Sequence, residues 1–166
     1  AKIALISLGC PKNQVDADRL CHALLAAGHT TTADPAEADV ILINTCAFIE
    51  SAKQEAIDTI LAAAEFKKGA NPPKVVVTGC LSERYQKEMH QELPEADAVL
   101  GIGANGDIAP LLTKMMEENT YVESFPDKAR MPLCGDRELT TPSYFAYVKI
   151  AEGCDNRCSY CVIPSI

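Results

Sequence analysis

No apolar run in this 166-residue chain approaches the roughly 18 residues that a membrane span needs. The opening stretch, Ala1-Lys2-Ile3-Ala4-Leu5-Ile6, reaches Gly9-Cys10 too soon to be the apolar core of a signal peptide. Neither membrane nor export is indicated, and the expected location is the cytoplasm. Positive charge is scarce as well: 15 Lys and Arg stand against 23 Asp and Glu, a formal net charge of −8. Proteins that grip phosphate backbones neutralise them with Lys and Arg, so direct nucleic-acid binding is not expected of this chain. Low-complexity tracts are absent, and His22, His29 and His90 fall in no nucleophile or metal pattern. Solvated helix or loop positions are the expectation for all three.

What is present is the composition of a globular protein, 48% hydrophobic and 23% charged. The length suits one ordinary domain plus a remainder. Lys2 to Leu8 (KIALISL) is a short apolar run ending at Gly9-Cys10, and a helical pattern through Val15, Leu20, Leu24 and Leu25 comes next, closed by Gly28. Asn13 with Asp16 three residues on resembles a helix-capping pair. Asp39 to Asn44 (DVILIN) is a continuous apolar run of the kind buried on both faces of a parallel sheet, and Ser51 to Lys67 reads as a long amphipathic helix. Lys74 to Thr78 with Leu81 to Leu93, and Asp97 to Leu100 with Asp107 to Glu118, repeat the unit; Thr30 to Ala33 suits a further short strand. Alternating strands and helices with short connections predict an α/β fold with an open, mostly parallel, doubly wound (Rossmann-like) sheet over residues 1–120. Pro126, Pro132, Gly135 and Pro142 then punctuate a polar linker over 121–143. Tyr144 to Ile150 (YFAYVKI) reads as one more strand, the first of a second domain cut off at Ile166.

The cysteines carry the chemistry. Eight in a chain of this size is above the ordinary share, and cytosolic thiols stay reduced, so clustered ones there bind metal or react. Cys154, Cys158 and Cys161 form a CxxxCxxC run directly after the last expected strand. Three thiolates on one tight loop can hold three corners of a 4Fe-4S cube and leave the fourth iron open; a zinc site lacking its fourth ligand and plain structural thiols are the other readings. Cys10, Cys46 and Cys80 each stand just past the end of an expected strand, in Leu8-Gly9-Cys10, Asn44-Thr45-Cys46 and Thr78-Gly79-Cys80. Ligands of open α/β sheets bind outside the carboxyl ends of the strands, so this equivalence points to a shared metal site, with separately buried thiols as the alternative. Cys21 lies among Ala17, Leu20 and Leu24 at helical spacing and reads as packing, while Cys134 reads as a free thiol in the linker. Gly101-Ile102-Gly103-Ala104-Asn105-Gly106 matches a dinucleotide fingerprint, but no acidic residue ends a strand about 20 residues on, and tight-turn glycines explain it.

Taken together, Leu8-Gly9-Cys10-Pro11-Lys12-Asn13, Asn44 through Ala52, Gly79-Cys80-Leu81-Ser82, and Gly153 through Ser165 resemble the motifs of the radical S-adenosylmethionine methylthiotransferases. The match runs over the whole chain. It looks more like the branch that modifies a ribosomal protein than the tRNA branch, whose first motif usually has Gln-Met where this chain has Pro11-Lys12.

The resemblance implies an auxiliary 4Fe-4S cluster on Cys10, Cys46 and Cys80 and a radical-generating 4Fe-4S cluster on Cys154, Cys158 and Cys161, with S-adenosylmethionine used at both. At the second, reductive cleavage yields a 5′-deoxyadenosyl radical; at the first, sulfur is methylated and delivered as methylthio. No catalytic residue beyond the cluster ligands is singled out, and Tyr160 suits an apolar shield or simple packing. The implied substrate is the β-carbon of an aspartate in ribosomal protein twelve of the small subunit, with flavodoxin or ferredoxin as reductant. Most of the radical barrel and a C-terminal β-barrel domain lie outside this stretch, which alone is expected not to turn over. A tRNA methylthiotransferase and a non-catalytic iron-sulfur or zinc module are the competing readings.

Overall fold

The computed structural model describes residues 1–166, apart from the side chain of Arg130. In chain order the elements are β1 (Lys2–Ser7), α1 (Pro11–Ala26), β2 (Thr30–Thr32), β3 (Val40–Thr45), α2 (Glu50–Glu65), β4 (Lys74–Gly79), α3 (Cys80–Arg84), α4 (Gln86–Glu92), β5 (Ala98–Leu100), α5 (Ile108–Glu118) and β6 (Val122–Ser124). All six strands join one sheet in the order β2-β1-β3-β4-β5-β6, and every neighbouring pair is parallel. The expected doubly wound α/β architecture is thus borne out.

Strand composition explains why the sheet is covered twice. Every residue of β3 is buried, as the unbroken apolar run predicts. Ile41, Ile43, Val75, Val77 and Val99 face Ala56 and Ile60 of α2 and Leu81 and Met89 of α3 and α4. The alternate residues Ile3, Val40, Leu42, Val76 and Leu100 face Leu20 and Leu24 of α1 and Ile108, Leu112 and Met115 of α5. Two apolar layers therefore form on one set of strands, because successive side chains point to opposite faces. Truncating a fully buried centre such as Ile60 to alanine costs about 2–5 kcal/mol in such packing. The chain leaves β1 towards β2 on one side and returns to β3 on the other. That reversal opens a crevice at the carboxyl ends of β1 and β3, where ligands of this architecture sit.

Several elements differ from expectation. The helix expected over Leu81 to Leu93 is two helices broken at Tyr85, whose ring lies 5.0 Å from the Lys53 ammonium and 5.1 Å from the Arg84 guanidinium. β6 went unforeseen because only Val122 of its three residues is buried. Residues 144–150 are not a strand: the run finds no ladder partner, and strand propensity expresses itself only through pairing. The glycine-rich turn Ile102–Asp107 is a short 3-10 helix, and a Cβ on Gly101 would meet Glu83 Oε2 at 2.6 Å. Close packing accounts for that glycine without a nucleotide. No helix is long and apolar enough to cross a membrane among the described residues.

Candidate functional site

β1, β3 and β4 lie side by side, so the segment beyond the end of each strand emerges at one rim. Ser7 pairs with Asn44, and Thr45 with Gly79; Leu8 N–H extends the ladder to Asn44 O at 2.9 Å. Cys10, Cys46 and Cys80 consequently line a single cavity of about 1050 Å³. Cys46 and Cys80 are buried and Cys10 is exposed. The glycines before two of them have a geometric cause. Gly9 has φ +96°, and a Cβ there would approach the Cys46 Cβ to 2.6 Å; Gly79 has φ +100°, and a Cβ there would meet the Thr45 backbone nitrogen at 2.7 Å. Only glycine combines that left-handed backbone with so close an approach.

Asn13 ties the rim together. It is 1% exposed, and its amide nitrogen donates to Leu8 O at 2.9 Å and to Thr45 O at 2.8 Å. Its backbone carbonyl accepts from Asn44 Nδ2 at 2.9 Å, and its Oδ1 accepts from the Cys80 thiol at 3.6 Å. This corrects the capping pair expected of Asn13 and Asp16: α1 begins at Pro11 after Cys10, without a side-chain cap. The strand ends claim the Asn13 side chain, because their carbonyls are buried and need donors. Thr45 adds a second tie, donating from Oγ1 to Thr78 O at 2.6 Å and accepting from Leu81 N–H at 3.2 Å.

A charge network flanks the thiols. Lys12 Nζ lies 3.2 Å from Asp16 Oδ2 and 3.0 Å from Glu152 Oε1; Lys149 Nζ lies 2.6 Å from Asp16 Oδ1 and 2.8 Å from Glu152 Oε2. Burial works against the Lys12 ammonium, yet Asp16, the Cys80 sulfur and Glu152 outweigh it and push its pKa up. Burial likewise works against the Glu152 carboxylate, and Lys149 and Lys12 reverse the sign and lower its pKa. The Cys80 thiol is pushed up to about 11, by burial above all and then by Cys46, Cys10 and Asp16, with Lys12 pulling the other way. Without a bound cation Cys80 is a neutral thiol at pH 7.

The second set of cysteines sits differently. Cys154 and Cys158 are exposed and Cys161 is half-buried, on a loop where Cys161 N–H donates to Cys158 O at 3.0 Å. Their sulfurs do not line the thiol cavity, yet residues on both sides of the loop do, from Tyr147 to Gly153 and again at Ile163 and Ile166. Among the described residues no three His, Cys, Asp or Glu side chains converge as they would around one metal ion. Cys21 is buried on α1 and Cys134 is exposed. Tyr160 is 88% exposed and here neither shields nor packs.

Sequence reasoning missed Lys12, Asp16, Lys149 and Glu152 as members of the rim. One signal was present: Asp16 stands between Val15 and Ala17 on a helix, and Lys149 interrupts an apolar run. The profile described as Uncharacterized protein family UPF0004 matches residues 2–101. The chain is 47% identical over 169 residues to the ribosomal protein uS12 methylthiotransferase RimO of Clostridioides difficile, covering 99% of this chain and 37% of that protein. It is 45% identical to the protein of the same name from Solibacter usitatus, covering 98% of this chain and 34% of that protein. It is 46% identical to that from Caldicellulosiruptor saccharolyticus, covering 99% and 38%. The chain spans a little over a third of the length of these relatives, and the resemblance to methylthiotransferases read from its motifs is borne out.

Proposed function

The chain belongs to the UPF0004 family, and on that premise we propose that it works in radical S-adenosylmethionine methylthiotransfer to an aspartate β-carbon of small-subunit ribosomal protein uS12. The observation that supports this reading is that Cys10, Cys46 and Cys80 line one cavity, walled on another side by the segment that runs into the Cys154–Cys161 loop. Residues 1–120 form the auxiliary-cluster domain, 121–143 the connection and 144–166 the start of the radical domain. The proposed partners are uS12 as substrate and flavodoxin or ferredoxin as reductant, in the cytoplasm.

The donor set suits iron-sulfur ligation, since thiolates are soft ligands that favour such clusters. Cys10, Cys46 and Cys80 would hold the auxiliary 4Fe-4S cluster, and Cys154, Cys158 and Cys161 the other. When bound, the clusters and S-adenosylmethionine supply the carbon-centred radical and the methylated sulfur. The chain's own residues supply the rest. The three rim thiols must shed their protons on ligation, because the thiolate is the ligating form, and the Lys12 ammonium beside Cys80 favours that charge. Phe48, Ile49 and Val148 give the cavity apolar lining.

The test is to reconstitute the full-length protein anaerobically, supply S-adenosylmethionine, a strong reductant and either uS12 or tRNA, and analyse both by mass spectrometry. One methylthio group gained on a uS12 aspartate supports the proposal. A methylthio gain on tRNA alone, or none with both clusters loaded, rejects it.

A further inference from the structure

α1 carries two buried carboxylates whose shortest contacts come from outside its own domain. Asp16 and Asp18 are 4% and 2% exposed, an unusual degree of burial for acids on a helix. Within α1, Lys12 reaches Asp16 at 3.2 Å and Gln14 reaches Asp18 at 3.2 Å. Their shorter contacts come from far along the chain. Thr140 donates from Oγ1 to Asp18 Oδ1 at 2.7 Å, and Lys149 reaches Asp16 at 2.6 Å. The Lys149 and Asp16 side chains are each only 4% exposed.

The neighbours of Lys149 do not explain this burial. Val148 and Ile150 are 77% and 85% exposed, whereas the lysine between them dips inward. A buried charge must be paired, or its desolvation is uncompensated. The network is neutral, two ammoniums against two carboxylates, and Lys12 meets Glu152 across the junction at 3.0 Å. Glu152 stands two residues before Cys154, and Lys12 two after Cys10. The same four charges therefore span the gap between the two cysteine sets.

We propose that the Asp16–Lys149 pair is a latch that holds the segment leading into the Cys154–Cys161 loop against the rim bearing Cys10, Cys46 and Cys80, which makes Asp16 and Lys149 positioning residues for transfer between the two sites. The inference rests on the proposed function for its purpose but on geometry alone for its existence. Neither residue touches substrate; each acts by fixing where the loop stands relative to the thiol cavity. Transfer of a group from one site to a radical made at the other depends steeply on such placement.

Two readouts test it in the full-length protein. The first needs no turnover: acylation of the Lys149 amine, followed by peptide mass spectrometry, with exposed Lys114 as the internal standard. Asp16→Asn should raise Lys149 labelling at least tenfold while Lys114 stays unchanged; equal labelling in the parent and Asp16→Asn overturns the latch. The second reads Asp16→Asn, Lys149→Met and the double variant by 5′-deoxyadenosine and methylthio product. Each single change should lower product at least tenfold with 5′-deoxyadenosine kept within about threefold, and the double should be no worse than the worse single, since partners in one pair are not additive. Losses that multiply in the double variant, or a parallel fall in both products, would show independent structural roles and overturn it. If the parent protein makes neither product, the functional reading fails, and the labelling result still decides the latch.

Discussion

Asn13 Oδ1 accepts the Cys80 thiol at 3.6 Å while the same side chain's nitrogen bridges Leu8 O and Thr45 O. One buried amide on α1 therefore sets the spacing of three strand ends, each of which delivers a cysteine. Asn13→Ala leaves one buried carbonyl, Thr45 O, and one half-buried one, Leu8 O, short of a donor, and unsatisfied buried groups cost about 1–3 kcal/mol each. We expect the metal-free variant to lose roughly 2–4 kcal/mol in urea unfolding. An unchanged midpoint would remove Asn13 from its structural role.

The raised pKa of Cys80 predicts how the metal-free protein responds to base. Its folded value, about 11, lies above the ordinary 9.0. The native state therefore binds the proton more tightly than the unfolded chain. This contribution to stability is fully present below pH 9, and it declines as pH rises from 9 towards 11. Alkylation of Cys80 by iodoacetamide at pH 7.5 should be slow beside that of exposed Cys134, because the thiolate is the nucleophile, and should accelerate through the same interval. Fast labelling of Cys80 at neutral pH would contradict its burial.

Cys21 and Cys134 separate packing from ligation. Cys21 is 6% exposed on α1, so Cys21→Ala should cost about 1–2 kcal/mol of stability while leaving iron content alone. Cys134→Ala should change neither. Loss of a cluster in either variant would break the division of the cysteines into two sets of three.

Much of this was legible in the sequence, for local reasons. The run Val40 to Ile43 has no polar interruption and reads as a doubly covered strand, and the cysteines at 10, 46 and 80 stood at equivalent places just past expected strands. What escaped notice depended on contacts between distant residues. Asn13 looked like a cap because its competitors for hydrogen bonding, Leu8 and Thr45, converge only in three dimensions. The same holds for Asp16 and Lys149, 133 positions apart. Residues 144–150 have strand composition without a partner strand, which no local pattern reveals.

Iron analysis gives a quantitative check on the two sets. The anaerobically reconstituted full-length protein should bind about eight irons, and about four after Cys10, Cys46 and Cys80 are all changed to Ala or after Cys154, Cys158 and Cys161 are, since each cube carries four. An iron count unaffected by the loss of the first three would reject the shared rim site.

The most direct test measures 5′-deoxyadenosine and methylthio-modified uS12 side by side in Cys46→Ala and Cys158→Ala of the full-length protein, with S-adenosylmethionine and a strong reductant. Cys158→Ala should form neither, and Cys46→Ala should form 5′-deoxyadenosine at least in part but no modified uS12. Full modification of uS12 by Cys46→Ala would contradict the account, because the thiol rim would then have no part in delivering sulfur.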